Sequence, residues 1–185
     1  MANIDIETND MYKYDSEKKA QAKNYKRYVD EHIENVNKAF SEFGPVLSKA
    51  LSVDLGRLKE MVEIHDQSKY SEEEFEGYRK NFYPTDLEEN DKNLNKYAFD
   101  NAWEHHVKNN PHHPEFWVRQ DEETGELIPE DMPNVFIAEM LLDWQSMGYK
   151  FGDNAYQYWN SDKCKKFLST ATREKVESVI SIFNK

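Results

Sequence analysis

The chain has 185 residues, of which 38% are hydrophobic and 32% are charged, a composition that predicts a folded protein and excludes a largely disordered one. Its formal net charge of −12 argues against a general nucleic-acid-binding surface and against attraction to anionic membranes, because both partners are negatively charged. No apolar run approaches the roughly 20 residues of a membrane-spanning helix, and the acidic N-terminal residues do not resemble a signal peptide. The one cysteine, Cys164, cannot form an internal disulfide, so we expect a soluble, cytoplasmic protein with an inert, partly buried thiol.

Helices dominate the predicted structure, because glycine and proline are scarce at six residues each and strand-like alternation is rare. Residues 1–15 are polar and are predicted to form a flexible lead-in to a single domain of residues 16–185. A long helix is predicted over residues 17–43, with His32 on its apolar face, and the pair Gly44 and Pro45 should end it.

Shorter helices should follow this long one. One is predicted over residues 46–51 and another over residues 54–66, with His65 on the inward stripe of the second. Residues 71–74 have the sequence of a capping box and should begin a helix that reaches Phe82.

The next predicted helix, residues 94–109, carries His106 on its buried face and His105 at one edge of that face. Prolines break the helix there and should hold His112 and His113 in a rigid turn just beyond its end.

The last third of the chain begins with residues 118–131, which predict a loop or small hairpin that could cover a site. Asp131 should cap a helix that extends to Met147 and has Asp143 on its flank, and a final helix is predicted from Thr172. The prediction is therefore an all-α, single-domain bundle of about six or seven helices.

Histidine placement is the main functional signal. Four of the six histidines fall within residues 105–113, and imidazole is the commonest protein metal ligand near neutral pH. Taken alone, His32 would more often be a hydrogen-bonded core residue, and Asp143 could simply cap a helix or pair with a lysine. The coincidence of inward histidines on three helices, an aspartate beside His65 and a helical aspartate downstream favours a metal centre.

The order His32, His65, Asp66 and Asp143 resembles the H…HD…D signature of the HD-domain metal-dependent phosphohydrolase superfamily. That resemblance implies a helical fold that binds one or two divalent metals in its core. The run HDQSK is similar to the HD-x-x-K extension of that superfamily, which implies that Lys69 lies near a substrate phosphate.

Three longer runs, HDQSKYSEEEF, AWEHHVKNNPHHPEFW and AEMLLDW, more closely resemble an uncharacterised family of small phage and bacterial proteins. The similarity covers about residues 25–150. It implies a bacterial or phage-infected cell but no established activity. The histidine pair followed by Pro-His-His departs from the usual HD-domain arrangement, so the resemblance does not specify the substrate.

Ligand chemistry suggests a role for each candidate residue. One metal should be held by four residues whose order matches the signature, namely His32, His65, Asp66 and Asp143. A second metal, bridged by one of the two aspartates, should be held by His106 together with His112 or His113. Adjacent residues on a helix point about 100° apart, so His105 is not expected to share a metal with His106. His105 is instead a candidate further ligand, or a group that supports the ligands or contacts the substrate.

Mixed histidine and carboxylate ligands suit Mn, Fe, Ni, Co or Zn better than Mg or Ca. A bound divalent cation would also let this acidic chain accept a small phosphorylated substrate. Lys69 would neutralise a phosphate oxygen. Without the resemblance, the interpretation that Lys69 is an ordinary exposed lysine would be equally good. An unligated His112 or His113 would protonate the leaving group.

Three functions fit these residues. The favoured one is a metal-dependent phosphohydrolase that acts on a nucleotide or another small phosphate ester. The first alternative keeps the metals but is a di-iron oxygenase. The second alternative is a non-catalytic protein that binds a ligand or a partner, and the sequence leaves self-association open.

Overall fold

The computed structural model describes residues 2–161 and 165–184, with side chains from residue 10 onward; the thiol predicted at Cys164 lies outside these residues. This part of the chain contains seven α-helices: α1 (Ala2–Ala50), α2 (Leu55–Glu63), α3 (Glu72–Phe82), α4 (Lys92–Asn109), α5 (Asn134–Phe151), α6 (Ala155–Asn160) and α7 (Thr170–Val179). A short antiparallel hairpin joins β1 (Val118–Gln120) to β2 (Leu127–Pro129). The prediction of an all-α fold with six or seven helices is confirmed. None of the described helices is long and apolar enough to cross a membrane.

Contacts between residues divide the chain into two compact units. The first unit comprises residues 2–31 and Gln67–Asn109, and the second comprises His32–Asp66 and the described residues from Asn110 onward. Helix α1 contributes residues to both units. The division predicted from the sequence, a lead-in of residues 1–15 and one domain of residues 16–185, stays a prediction.

Helix α1 is longer at both ends than the sequence pattern predicts. It begins at Ala2 and passes through Gly44 and Pro45, so the predicted end at residue 43 and the separate helix over residues 46–51 are both wrong. Proline within a helix costs about 3 kcal/mol. Phe43 and Leu47 are both buried on the same face, and burying a large apolar side chain gains roughly 1.5–3 kcal/mol. Core packing therefore offsets the tendency of Gly44 and Pro45 to end the helix.

In the first unit, α3 and α4 approach each other closely at Gly77. A Cβ atom at this position would lie 2.5 Å from the carbonyl oxygen of Ala98 and 2.6 Å from the Cβ of Ala102. Only glycine permits that separation, since a methyl group would force the two helices apart. This contact fixes which residues of the two helices face each other.

A buried arginine also organises the first unit. The side chain of Arg79 is fully buried, and its guanidinium donates two hydrogen bonds to Glu88, at 2.6 and 2.8 Å. The amide of Thr85 donates to the same carboxylate at 2.9 Å. Burial alone would raise the pKa of Glu88, but the hydrogen bonds from Arg79 and Thr85 lower it to about 2.

In the second unit, buried apolar side chains from α1, α2, α5, α6 and α7 form one core. Typical members are Leu47, Leu58, Leu141, Trp159 and Val176. Helix α5 runs through the middle of this core with most of its residues buried, which explains why its few acidic residues need specific partners.

The ends of the elements in the second unit follow turn chemistry, with one exception. The hairpin predicted from the sequence forms, with Gly125 at a φ of 72° in its turn. Asp131 does not cap α5, because the N-cap residue of α5 is Pro133. The Asp131 carboxylate accepts a hydrogen bond from Ser169 instead. Ser169 in turn caps α7 by accepting from the amide of Thr172.

We predict that Glu88→Gln lowers the free energy of unfolding by about 2–3 kcal/mol at pH 7, because it removes the closer of the two carboxylates paired with the buried Arg79 guanidinium, the other being Glu76. The folded-state pKa of Glu88 lies below the ordinary value of 4.5. The stabilisation is therefore fully present above about pH 4.5 and is lost as the pH falls toward 2. Urea unfolding at several pH values should show the wild type and the variant converging in acid.

The neighbouring exposed residue Glu89 offers a matched control, since Glu89→Gln removes the same charge without exposing a buried partner. We expect the control to stay within about 0.5 kcal/mol of the wild type. Equal effects of the two substitutions would refute a structural role for the Arg79 and Glu88 pair.

Candidate metal centre

Two histidines of the second unit each lie close to the same two aspartate oxygens. The Nε2 atom of His32 lies 3.3 Å from Nε2 of His65. The same His32 nitrogen lies 3.1 Å from Oδ2 of Asp66 and 3.2 Å from Oδ1 of Asp143. The His65 Nε2 atom is 3.6 Å and 3.7 Å from those two oxygens.

These spacings fit a single metal ion. Two atoms that each lie about 2.1 Å from one ion are about 3.0 Å apart at a right angle and about 3.4 Å apart at the tetrahedral angle. The observed separations, 3.1 to 3.7 Å, scatter around those values. The side chains are also removed from water, as His65 and Asp66 are each 1% exposed. The buried cluster could therefore hold a metal ion.

The backbone after α2 places two of these residues. The helix ends at Glu63, three residues before the end predicted from the sequence at residue 66. Asp66 adopts a left-handed conformation with a φ of 57°, which aspartate and asparagine tolerate better than most residues. In a regular helix His65 and Asp66 would point about 100° apart. The turn lets both side chains face the same point.

Ser146 on α5 orients His32. Its hydroxyl donates to the carbonyl oxygen of Asp143, one helical turn earlier, at 2.7 Å. The same Oγ atom lies 3.3 Å from Nδ1 of His32. Since the hydroxyl proton is used by the carbonyl, Oγ can only accept from His32, which puts the imidazole proton on Nδ1. The His32 Nε2 atom is then available as a metal ligand.

Glu139, also on α5, orients His65 in the same way. The Oε1 atom of this buried carboxylate is 3.0 Å from Nδ1 of His65. A carboxylate behind a histidine is the usual arrangement around protein-bound metals. The sequence predicted neither Glu139 nor Ser146 as part of the site. The signal for Glu139 was an acidic residue four positions before Asp143, in a run of apolar residues.

The cluster carries excess negative charge. Burial would lower the pKa of His65, but the neighbouring carboxylates, with Asp66 foremost, raise it to about 10. Burial would raise the pKa of Asp143, yet hydrogen bonds with His32 and His65 hold it well below its ordinary value. A divalent cation could take the place of the imidazole proton on Nε2 of His65, so metal binding should release protons.

A second group of candidate ligands adjoins Asp66. His112 is buried, and its Nε2 atom lies 3.6 Å from Oδ1 of Asp66, the oxygen other than the one that faces His32. The rings of His112 and His113 are 4.3 Å apart. One ligand atom from each of Asp66, His112 and His113 lies within 4.8 Å of the others. Asp66 thus contributes one oxygen to each group.

The remaining predicted site residues lie in the first unit. The Lys69 ammonium is 5.7 Å from the centre of the Tyr78 ring. His105 and His106 each place Nδ1 at 2.8 Å from a different oxygen of Glu74. The roles predicted for Lys69 in phosphate binding and for His106 and His105 as metal ligands stay predictions.

Glu74 was expected to close a capping box at the start of α3. The helix begins after Ser71 and reaches Phe82 as predicted, but the Ser71 side chain makes no capping hydrogen bond, so the predicted capping box does not form. The fully buried Glu74 carboxylate binds the two imidazoles of α4 instead.

The fold and the cluster define an all-α protein with a buried histidine and aspartate site that could hold a metal ion. The chain belongs to the DUF5662 family, a family of unknown function whose sequence model matches residues 21–182. No curated protein and no solved structure matches the chain significantly. The family assignment brings no activity, so the function has to be argued from the site.

We predict that Asp66→Asn lowers the affinity for Zn²⁺ or Mn²⁺ by more than about 100-fold, because the charge shared by both ligand groups is lost. Asparagine tolerates the left-handed backbone as aspartate does, so the fold should persist. Metal content after dialysis and thermal unfolding with and without metal would measure the effect. Asp153→Asn, an exposed position in the same unit, is the control. Unchanged metal retention in the Asp66 variant would exclude Asp66 as a ligand.

Proposed function

We propose that the protein is a metal-dependent phosphohydrolase of HD type, acting on a nucleotide or another small phosphate ester. One observation carries the proposal: the Nε2 atoms of His32 and His65 lie 3.1 to 3.7 Å from each other and from carboxylate oxygens of Asp66 and Asp143. These are the residues whose order resembles the H…HD…D signature. Because the sequence pattern and the spatial cluster coincide, the superfamily chemistry is the best supported one.

The ligand set supports a transition metal. Two imidazoles and two carboxylates suit Mn, Fe, Ni, Co or Zn. A bound metal of this kind would supply Lewis acidity toward a phosphoryl oxygen and a nucleophilic water near neutral pH. The burial of His65 and Asp66 would keep bulk water from competing for the metal.

Asp66 supports a centre with two metals. Its Oδ2 atom faces His32 and its Oδ1 atom faces His112. A carboxylate with separate partners for its two oxygens is suited to bridge two ions, as binuclear phosphoester hydrolases require. His112, whose Nε2 atom faces Oδ1 of Asp66, would hold the second metal.

Histidine and lysine side chains of the protein would carry out proton transfer and phosphate binding. Whichever ring of His112 and His113 is not a ligand would protonate the leaving group. Burial and the neighbouring His65 lower the pKa of His112, so its neutral ring suits metal binding and leaves His113 as the favoured acid. The resemblance to the HD-x-x-K extension is the basis for proposing that Lys69 neutralises a phosphate oxygen.

The same ligands would also suit a di-iron oxygenase, since histidine and carboxylate bind iron well. The sharing of Asp66 by two ligand groups favours this second candidate as much as it favours a hydrolase. Oxygen consumption by an iron-loaded protein with visible charge-transfer absorption would identify it.

We predict that protein purified without chelator or metal-affinity tag contains one or two transition metals per chain and hydrolyses a phosphoester. The assay would use p-nitrophenyl phosphate, bis-p-nitrophenyl phosphate and a panel of nucleotides with Mn²⁺, Fe²⁺, Co²⁺, Ni²⁺ or Zn²⁺. Asp143→Asn should lower kcat/KM by about 10³-fold, because loss of a metal removes several kcal/mol of transition-state stabilisation. Asp153→Asn should leave the rate unchanged.

Two results would overturn this function. Protein that binds no metal, with an Asp143→Asn variant of equal stability, would make the chain a ligand- or partner-binding protein. Metal-loaded protein that consumes oxygen and leaves every phosphoester intact would make it an oxygenase.

A further inference from the structure

Glu139 is a buried carboxylate inside an apolar stretch of α5. It is 2% exposed, and the residues beside it, Ala138 and Met140, are core residues. Placing a carboxylate among apolar side chains is strongly unfavourable unless it has close partners. Its position therefore calls for a specific interaction that no surface glutamate would need.

The partners of Glu139 are two histidines that reach it from different parts of the second unit. Its Oε1 atom is 3.0 Å from Nδ1 of His65 and 3.5 Å from Nδ1 of His112. The two imidazole rings lie beside each other, with centroids 4.3 Å apart and an angle of 35° between their planes. Among the described residues, Oε2 has no hydrogen-bond partner. The polar contacts of this carboxylate with the described chain thus pass through the one oxygen that both histidines face.

The opposite nitrogens of the two rings both face Asp66. The His65 Nε2 atom is 3.6 Å from Oδ2, and the His112 Nε2 atom is 3.6 Å from Oδ1. A carboxylate that accepts from Nδ1 keeps the proton on that atom and leaves Nε2 to bind a metal. Glu139 therefore lies on the Nδ1 side of both rings, and Asp66 lies on the Nε2 side of both.

We propose that Glu139 is the common positioning residue of the metal centre, holding His65 and His112 as Nδ1-protonated rings whose Nε2 atoms flank the two oxygens of Asp66. The inference rests on the metal centre of the proposed function and not on the reaction that the centre performs. It assigns Glu139 no contact with substrate. Its consequence is that one substitution on α5 should disturb both ligand groups together.

Two substitutions separate positioning from simple charge. Glu139→Gln keeps the size of the side chain and removes its charge, whereas Glu139→Asp keeps the charge and withdraws the carboxylate by one methylene group. We expect both to weaken Zn²⁺ binding by about 10–100-fold in competition with a chromogenic chelator. A purely electrostatic role predicts that the aspartate variant binds as the wild type does, and that result would overturn the proposal.

Glu42→Gln is the matched control. Glu42 lies in the same unit, and its carboxylate accepts a hydrogen bond from Tyr149 at 2.7 Å near the surface. The control removes the same charge and disturbs one hydrogen bond away from the cluster, so its zinc affinity should equal that of the wild type. An equal loss in Glu42→Gln and Glu139→Gln would also overturn the proposal.

A measurement on the wild type makes the test independent of whether a variant folds. In zinc-loaded protein, long-range ¹⁵N NMR of the imidazoles should show His65 and His112 protonated at Nδ1 and shifted by the metal at Nε2. Zinc on Nδ1 of either ring would refute the role of Glu139 even if phosphoester hydrolysis is observed. Wild-type protein that binds no zinc, manganese or iron would instead refute the metal centre itself.

Discussion

The main physical constraint on the second unit is the burial of three carboxylates close to one another's histidine partners. Asp66 and Glu139 are almost fully buried and Asp143 is largely so, and imidazole nitrogens surround all three. Like charges held in one buried cluster repel strongly where the dielectric constant is low. Imidazole protons reduce the repulsion, as the raised pKa of His65 shows. A divalent cation would reduce it further, so the arrangement that a metal centre needs is also one that a metal would stabilise.

The same principle, a carboxylate shared between imidazoles, recurs in the first unit. Glu74 takes His105 on one oxygen and His106 on the other. Adjacent residues on a helix normally diverge, and a bidentate acceptor is a simple way to hold both rings. Each unit thus has a buried glutamate whose carboxylate lies close to two histidines. The sequence displays the histidines as a cluster, whereas the two glutamates are far from them along the chain.

Sequence periodicity could predict the residues that lie on apolar stripes. His32 and His65 were found because they interrupt hydrophobic faces, and Asp143 because it follows them in a known order. Glu139 and Glu74 were missed as site residues because a glutamate on a helix is ordinary and its partner is a matter of tertiary packing. The helices themselves were predictable in number. Two helix ends were not predictable. Core burial outweighed the tendency of Pro45 to end α1, and Asp66 adopted a left-handed conformation beyond the end of α2.

The close approach of α3 and α4 at Gly77 has a consequence for chemistry one turn away. Glu74 precedes the glycine by three residues on α3, and His106 follows Ala102 by four on α4. Because Gly77 contacts Ala98 and Ala102, the register that it fixes is the register that brings Glu74 to the histidines. A single added methyl group would therefore move an imidazole without altering any polar atom. Selection to keep the histidine pair in place would act on this glycine, which has no functional group of its own.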